Sequence, residues 1–175
     1  MKYSLLIPLA LFFGLAIIWF LPKPSEAQNP PALNLVETVE QGYLAHRRGD
    51  YDKAIELYTS IIKRRGLTVK ERAVSYLLRG EAKRDKGELQ EAVYDFTRAL
   101  NQWPNYPQAI FFRGQVLVAM DKLNEAYADL ARAVELDPNR ESYRTHLALL
   151  EKRMTGAGFL LDEKAEPLVI TPPPE

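Results

Sequence analysis

The sequence predicts an all-α fold, a solenoid of three helix-turn-helix repeats with a closing helix, and three observations carry that prediction. The first is internal repetition. When Gly42, Gly80 and Gly114 are aligned, Ala54, Ala92 and Ala126 share a column, as do Tyr58, Phe96 and Leu130, and Ile61, Ala99 and Ala133, at offsets of 38 and then 34 residues. The second is punctuation. Gly49, Gly87 and Asp121 open the three best-preserved stretches, 49–58, 87–96 and 121–130, and these residue types tolerate the left-handed conformation that ends a helix sharply. The third is composition. With 47% hydrophobic and 26% charged residues the chain can bury a core in water, and with no cysteine that core must hold by packing.

Taken in chain order, residues 1–27 are a segment of another kind. Lys2, an apolar run over 5–21, Pro22 and Pro24, and small residues at Ser25 and Ala27 make the parts of a secretory signal peptide cleaved after Ala27. The apolar run also approaches the ~20 residues that cross a bilayer, and Trp19-Phe20 suits an interface, so an uncleaved anchor over 5–21 is the alternative. Both readings place the rest of the chain across the membrane, periplasmic or secreted, possessing no cysteine for a lipid anchor. Residues 28–34, with Pro30-Pro31, form a linker.

The repeat domain is expected over 35–154, with repeats at 35–68, 73–106 and 107–140 and a capping helix at 140–154. Glycines on each first helix should face Ala54, Ala92 and Ala126 on the second, since helices approach closely only where side chains are small. Tyr51, Leu89 and Leu123 fill the space beside the turn, and Tyr58, Phe96 and Leu130 cap the core. Repeat one departs from this pattern: Gly66 stands where a proline is expected, and four extra residues precede the next repeat. Four residues are close to one turn of ~3.6, so they lengthen the following helix without rotating its apolar face. Thr68 and Glu71 supply a capping box, and a helix from about 69 to 86 is expected. Pro104 and Pro138 stop the second helices of repeats two and three. Asn139 is read as the cap of the closing helix, whose Leu147 and Leu150 cover repeat three while Arg144, Glu151 and Lys152 meet water. Residues 155–175, rich in glycine and proline, read as a flexible tail; its apolar clusters at 159–161 and 168–170 are candidate recognition segments or occupants of the protein's own groove.

These columns resemble the tetratricopeptide repeat (TPR), over roughly residues 35–154. The resemblance implies a right-handed solenoid whose concave face is lined by the second, fifth, ninth and twelfth positions of each repeat. Those positions are Val36, Val39, Tyr43 and His46, then Val74, Leu77, Glu81 and Arg84, then Gln108, Phe111, Gln115 and Val118, with Thr145, Leu149 and Lys152 from the closing helix. The candidate partner-binding set is Val39, Tyr43, His46, Leu77, Glu81, Arg84, Phe111, Gln115, Val118 and Leu149. Packing between repeats accounts equally well for Tyr43 and Phe111. Family members that grip a peptide's terminal carboxylate use lysine, asparagine and arginine here. This chain has Val39, Leu77 and Phe111 at the fifth position and Tyr43, Glu81 and Gln115 at the ninth, so an Hsp70- or Hsp90-type tail is not expected and a segment with apolar anchors is.

Other function classes find little support. Lys plus Arg and Asp plus Glu both total 23, so no net field draws the chain to nucleic acid, and the runs Arg47-Arg48 and Lys63-Arg64-Arg65 sit where cations favour a helix C-terminus. Two histidines, His46 and His146, cannot build a metal triad, and no phosphate loop or nucleophile elbow is present. The repeat carboxylates read mostly as solvent-facing. The expectation is a non-enzymatic, cofactor-free adaptor or assembly factor binding another protein; the alternative is a membrane-anchored structural subunit of an envelope complex.

Overall fold

The computed structural model describes residues 34–156, and within them seven helices and no strand follow one another. They are α1 (Leu35–Arg47), α2 (Tyr51–Ile62), α3 (Val69–Lys86), α4 (Leu89–Gln102), α5 (Pro107–Ala119), α6 (Leu123–Leu136) and α7 (Glu141–Gly156). The signal or anchor over 1–27, most of the linker and the apolar clusters of the tail lie outside the described residues. None of the described helices is long and apolar enough to cross a membrane.

The helix ends follow from local chemistry. Asn34 opens α1 with a capping box: its Oδ1 accepts from the Glu37 amide at 2.9 Å, and the Glu37 carboxylate accepts from the Asn34 amide at 3.1 Å. Thr68 and Glu71 do the same for α3, which runs over the expected residues. Each hairpin turns through one left-handed residue, Gly49 (φ 79°), Gly87 (φ 92°) or Asp121 (φ 60°). At all three the left-handed residue's amide donates to the carbonyl three residues back and the next amide to the carbonyl five back, the Schellman pattern. Asp121 bears the cost of a side chain in this conformation, and its carboxylate accepts from Arg153 of α7 at 2.6 Å. Helices α4 and α6 stop two residues before Pro104 and Pro138.

Asn139 does not cap α7. The helix begins at Glu141, where the Tyr143 amide bonds the Arg140 carbonyl at 3.1 Å and the Arg144 guanidinium donates to the Pro138 carbonyl at 2.8 Å. It continues through Gly156, so the first two residues assigned to the tail are helical.

The packing corrects one expectation. The helical glycines face the rings and branches of the larger column, not the alanines. A Cβ on Gly42 would lie 2.6 Å from Tyr58, one on Gly80 2.7 Å from Phe96, and one on Gly114 3.0 Å from Leu130. Each glycine therefore vacates the volume that its partner helix fills with its largest buried side chain. Ala54, Ala92 and Ala126 are fully buried, as small residues at a helix crossing must be.

Besides pairing with its chain neighbours, α3 packs on α5 and α5 on α7, and α1 reaches α3 through its side chains, His46 meeting Asp85 at 2.8 Å, so the odd-numbered helices form a layer. Ala45, Ala54, Tyr58, Ile61 and Ala82 close a core among α1, α2 and α3, and a larger core runs from α3 to α7.

The reading of the repeat carboxylates as solvent-facing also fails at two positions. Asp95 and Asp129 are buried. Arg79 grips Asp95 with two bonds of 2.8 and 2.6 Å and donates to Thr59 of the preceding repeat at 3.0 Å. Arg113 repeats this with Asp129, at 2.7 Å twice, and Thr97, at 3.3 Å. Lys83 adds a second cation at Asp95, 2.8 Å away. Each planar guanidinium thus joins the two helices of its own repeat to the second helix of the one before.

Candidate partner-binding face

The face presented by the odd-helix layer is built from whichever side chains the packing of α1 on α3 on α5 on α7 leaves uncovered. At the α1 end, Val36 and Tyr43 are exposed, and with Leu35, Val39, Glu40 and Leu78 they line a shallow apolar depression. Val39 is half-buried there and packs on the first core. Arg47 covers one side of the Tyr43 ring, 5.9 Å from its centroid. At the α7 end Leu149 is 60% exposed.

Between these ends lies a polar centre on α1 and α3. His46 Nε2 and Asp85 are 2.8 Å apart, and Arg84 donates to Asp85 at 2.8 Å while its guanidinium lies 5.1 Å over the Phe112 ring. Burial pushes the Asp85 carboxyl up, but hydrogen bonds from Arg84 and His46 outweigh it and hold the group below the usual carboxylate range. Glu81, one turn before, is raised: burial disfavours its charge, Asp85 reinforces the shift, and Arg84 and His46 only partly offset it. Among the described residues Glu81 has no hydrogen bond and no ion pair. Its field reaches two tyrosines. Burial, then Glu81, pushes both Tyr58 and Tyr106 up to about 12. The hydroxyls of Tyr58 and Tyr143 are buried with no partner among the described residues.

Two candidates do not reach this surface. Leu77 (5% exposed) and Phe111 (6%) belong to the large core. Phe111 stacks on Tyr143 of α7 at 4.4 Å and meets the edge of His146 at 5.0 Å, so the closing helix covers the side chain that would otherwise be an aromatic anchor. Gln115 and Val118 are half-buried, and the Val118 carbonyl accepts a long bond of 3.5 Å from Arg153. The surface therefore brings together Val39, Tyr43, His46, Glu81 and Arg84 around α1 and α3, with Leu149 apart on α7.

Sequence reasoning passed over Glu40, Leu78 and Asp85. The first two occupy the sixth position of a repeat, outside the family's groove positions; only their spacing of three or four from Val36, Tyr43 and Glu81 would have marked them.

Known proteins share this helical-repeat fold. Two family profiles described as tetratricopeptide repeat match residues 39–110 and 83–150. The chain is 30% identical over 118 residues to Protein unc-45 homolog B of Xenopus laevis, covering 67% of this chain and 12% of that protein. Across four such curated relatives it spans 12–21% of their length. Among solved structures, the first TPR domain of human RPAP3 superposes with a TM-score of 0.64 at 25% identity, covering 70% of this chain and 94% of that one. The second TPR domain of human RPAP3, solved with the HSP70 peptide SGPTIEEVD, gives 0.60 at 28% identity, covering 67% and 94%.

Proposed function

We propose that this chain, which belongs to the tetratricopeptide-repeat family, is a non-catalytic adaptor that holds a segment of a partner protein along its odd-helix face. The observation that carries the reading is the exposed apolar set of that layer, Val36, Tyr43 and Leu149, side chains that no described helix covers. Peptide capture by the human RPAP3 domain supports the class of ligand. The residues here argue against the same ligand: Val39, Tyr43 and Gln115 supply no cation for a terminal carboxylate, and Glu81 repels one. An extended or helical segment with apolar anchors fits better.

The buried carboxylates do not argue for chemistry. Asp95 and Asp129 are engaged by arginines at both oxygens, which leaves neither poised to take a proton.

The proposed site of action is across a membrane, as an exported assembly factor, supported by the signal-like residues 1–27. The apolar run over 5–21 favours a second reading, a membrane-anchored subunit of an envelope complex. Fractionation separates them: a soluble chain beginning at Gln28 supports the first, an intact Met1 in the membrane the second.

The binding face is tested by placing a photo-crosslinking amino acid at Tyr43 or at Tyr94, an exposed ring of α4, in intact cells. A defined partner captured from position 43 and not from 94 is the expected result. Capture from 94 alone moves the interface to the even-numbered helices and defeats the proposal.

A further inference from the structure

The unusual group on the odd-helix face is Glu81. A partly buried carboxylate is normally matched by a cation or by several donors, because taking the charge out of water costs several kcal/mol otherwise. Here the matching has gone elsewhere. Arg84, three residues on, is turned to Asp85 and stacked over Phe112, and His46 is also held by Asp85. Lys83 is committed to Asp95. The buried Tyr58 hydroxyl, whose titration Glu81 influences, has no partner among the described residues. Among the described residues the charged groups that act on Glu81 are thus the Asp85 carboxylate, the Arg84 guanidinium and the His46 imidazole, and the guanidinium is already bonded to Asp85.

The surroundings continue the pattern. Leu78, one turn before Glu81 on α3, lines the apolar depression that also contains Val36, Val39 and Tyr43 and is bordered by the exposed Glu40. Apolar anchor sites and an unmatched acidic centre therefore adjoin on one face. One side of the Tyr43 ring is occupied by Arg47, which leaves Glu81 as the better-placed group to receive a further cation.

We infer that the partner segment presents a lysine or arginine to Glu81, flanked by apolar side chains that enter the depression beside Tyr43. This inference rests on the odd-helix face being the binding surface and specifies the chemistry of what it takes. The bound cation supplies the partner that the fold withholds from Glu81, and the surrounding low-dielectric wall strengthens the pair relative to one in water. An acidic segment meets Glu40, Glu81 and Asp85 and is rejected.

The test uses three sets of fluorescent dodecapeptides with randomised apolar residues around a fixed central lysine, norleucine or glutamate. They are titrated into the full chain and into its Glu81→Gln and Tyr43→Ala variants, each checked for helix content. The lysine set should bind the unaltered chain at least ~10-fold more tightly than the norleucine set, the scale of a charge-assisted bond. Glu81→Gln should remove most of the preference for lysine over norleucine, while Tyr43→Ala weakens both sets. Equal affinity for lysine and norleucine, with Tyr43→Ala still weakening both, overturns the cation inference and leaves the groove standing. Insensitivity of every set to Tyr43→Ala overturns the groove and the inference together.

Discussion

Three glycines and one glutamate set the residue-scale behaviour. A methyl group added at Gly42 or Gly80 meets an aromatic ring at 2.6 or 2.7 Å, and buried Tyr58 and Phe96 rings have little room to yield. At Gly114 it meets Leu130 at 3.0 Å and the Asp129 Cβ at 3.2 Å, contacts that a shift of a few tenths of an ångström relieves. Gly42→Ala and Gly80→Ala should each cost about 1–3 kcal/mol and Gly114→Ala less, read from urea denaturation midpoints. Equal costs at all three would show that the rings do yield. Glu81 makes the opposite prediction. Burial raises its folded carboxyl above the unfolded value, so the folded state holds that proton more tightly, and stability present at low pH is lost as pH rises through the raised value. Glu81→Gln should therefore melt higher than the unaltered chain at pH 7.5, with the gap closing towards pH 4. A variant that melts lower at pH 7.5 would mean that Glu81 has a stabilising partner. The glycine column was visible as repetition, but its partner was misassigned: columns report which positions are constrained, not which atoms meet across a crossing.

Two arginine clasps and a stacked pair dominate at the scale of elements. Arg79 and Arg113 each tie two helices of one repeat to the repeat before, at the only described positions where a carboxylate is buried. Removing Asp95 leaves Arg79 and Lys83 facing each other in a dry site, so Asp95→Ala should cost about 3–5 kcal/mol. Asp129→Ala should cost less, because one cation rather than two is orphaned and Asp129 is slightly exposed. Arg-Gly and Asp-Phe or Asp-Leu recur at matching places, so a signal existed; it was masked because an aspartate on a helix normally faces water. Phe111 teaches the converse. Its family position marks it as a groove residue, yet Tyr143 and His146 of α7 cover it. Phe111→Ala should cost about 3–5 kcal/mol in thermal melts, so loss of partner binding in that variant would report unfolding rather than a lost contact. Tyr43→Ala, on an exposed ring, is the clean probe of the face.

At the scale of the molecule the array is decided by its ends. Glu37, Gln41 and Leu44 on α1 correspond to Ser75, Arg79 and Ala82 on α3 and to Ala109, Arg113 and Val116 on α5. The first three are exposed, whereas Ser75, Ala82, Ala109 and Val116 are buried. Two of the three α1 residues are polar, which suits a helix that no described hairpin precedes. The other end is closed by Tyr143, Leu150 and Met154, all buried. A chain stopped after Arg140 uncovers Phe111 and should lose its single cooperative melt; a truncated chain melting as sharply as the full one would show that three hairpins suffice.

The amino-acid sequence by itself determined the repeat lengths, the hairpin turns, the capping box of α3 and the closing helix. Each of these depends on backbone conformations and spacings that a few consecutive residues dictate. Tertiary structure alone decided that Leu77 and Phe111 are sealed in the core, that Asp95 and Asp129 are buried in arginine clasps, and that Glu81 is left unmatched. Exposure and ion pairing are set by what the paired helix of the same repeat and the helices of the next bring within reach, 16 or more residues away in the chain.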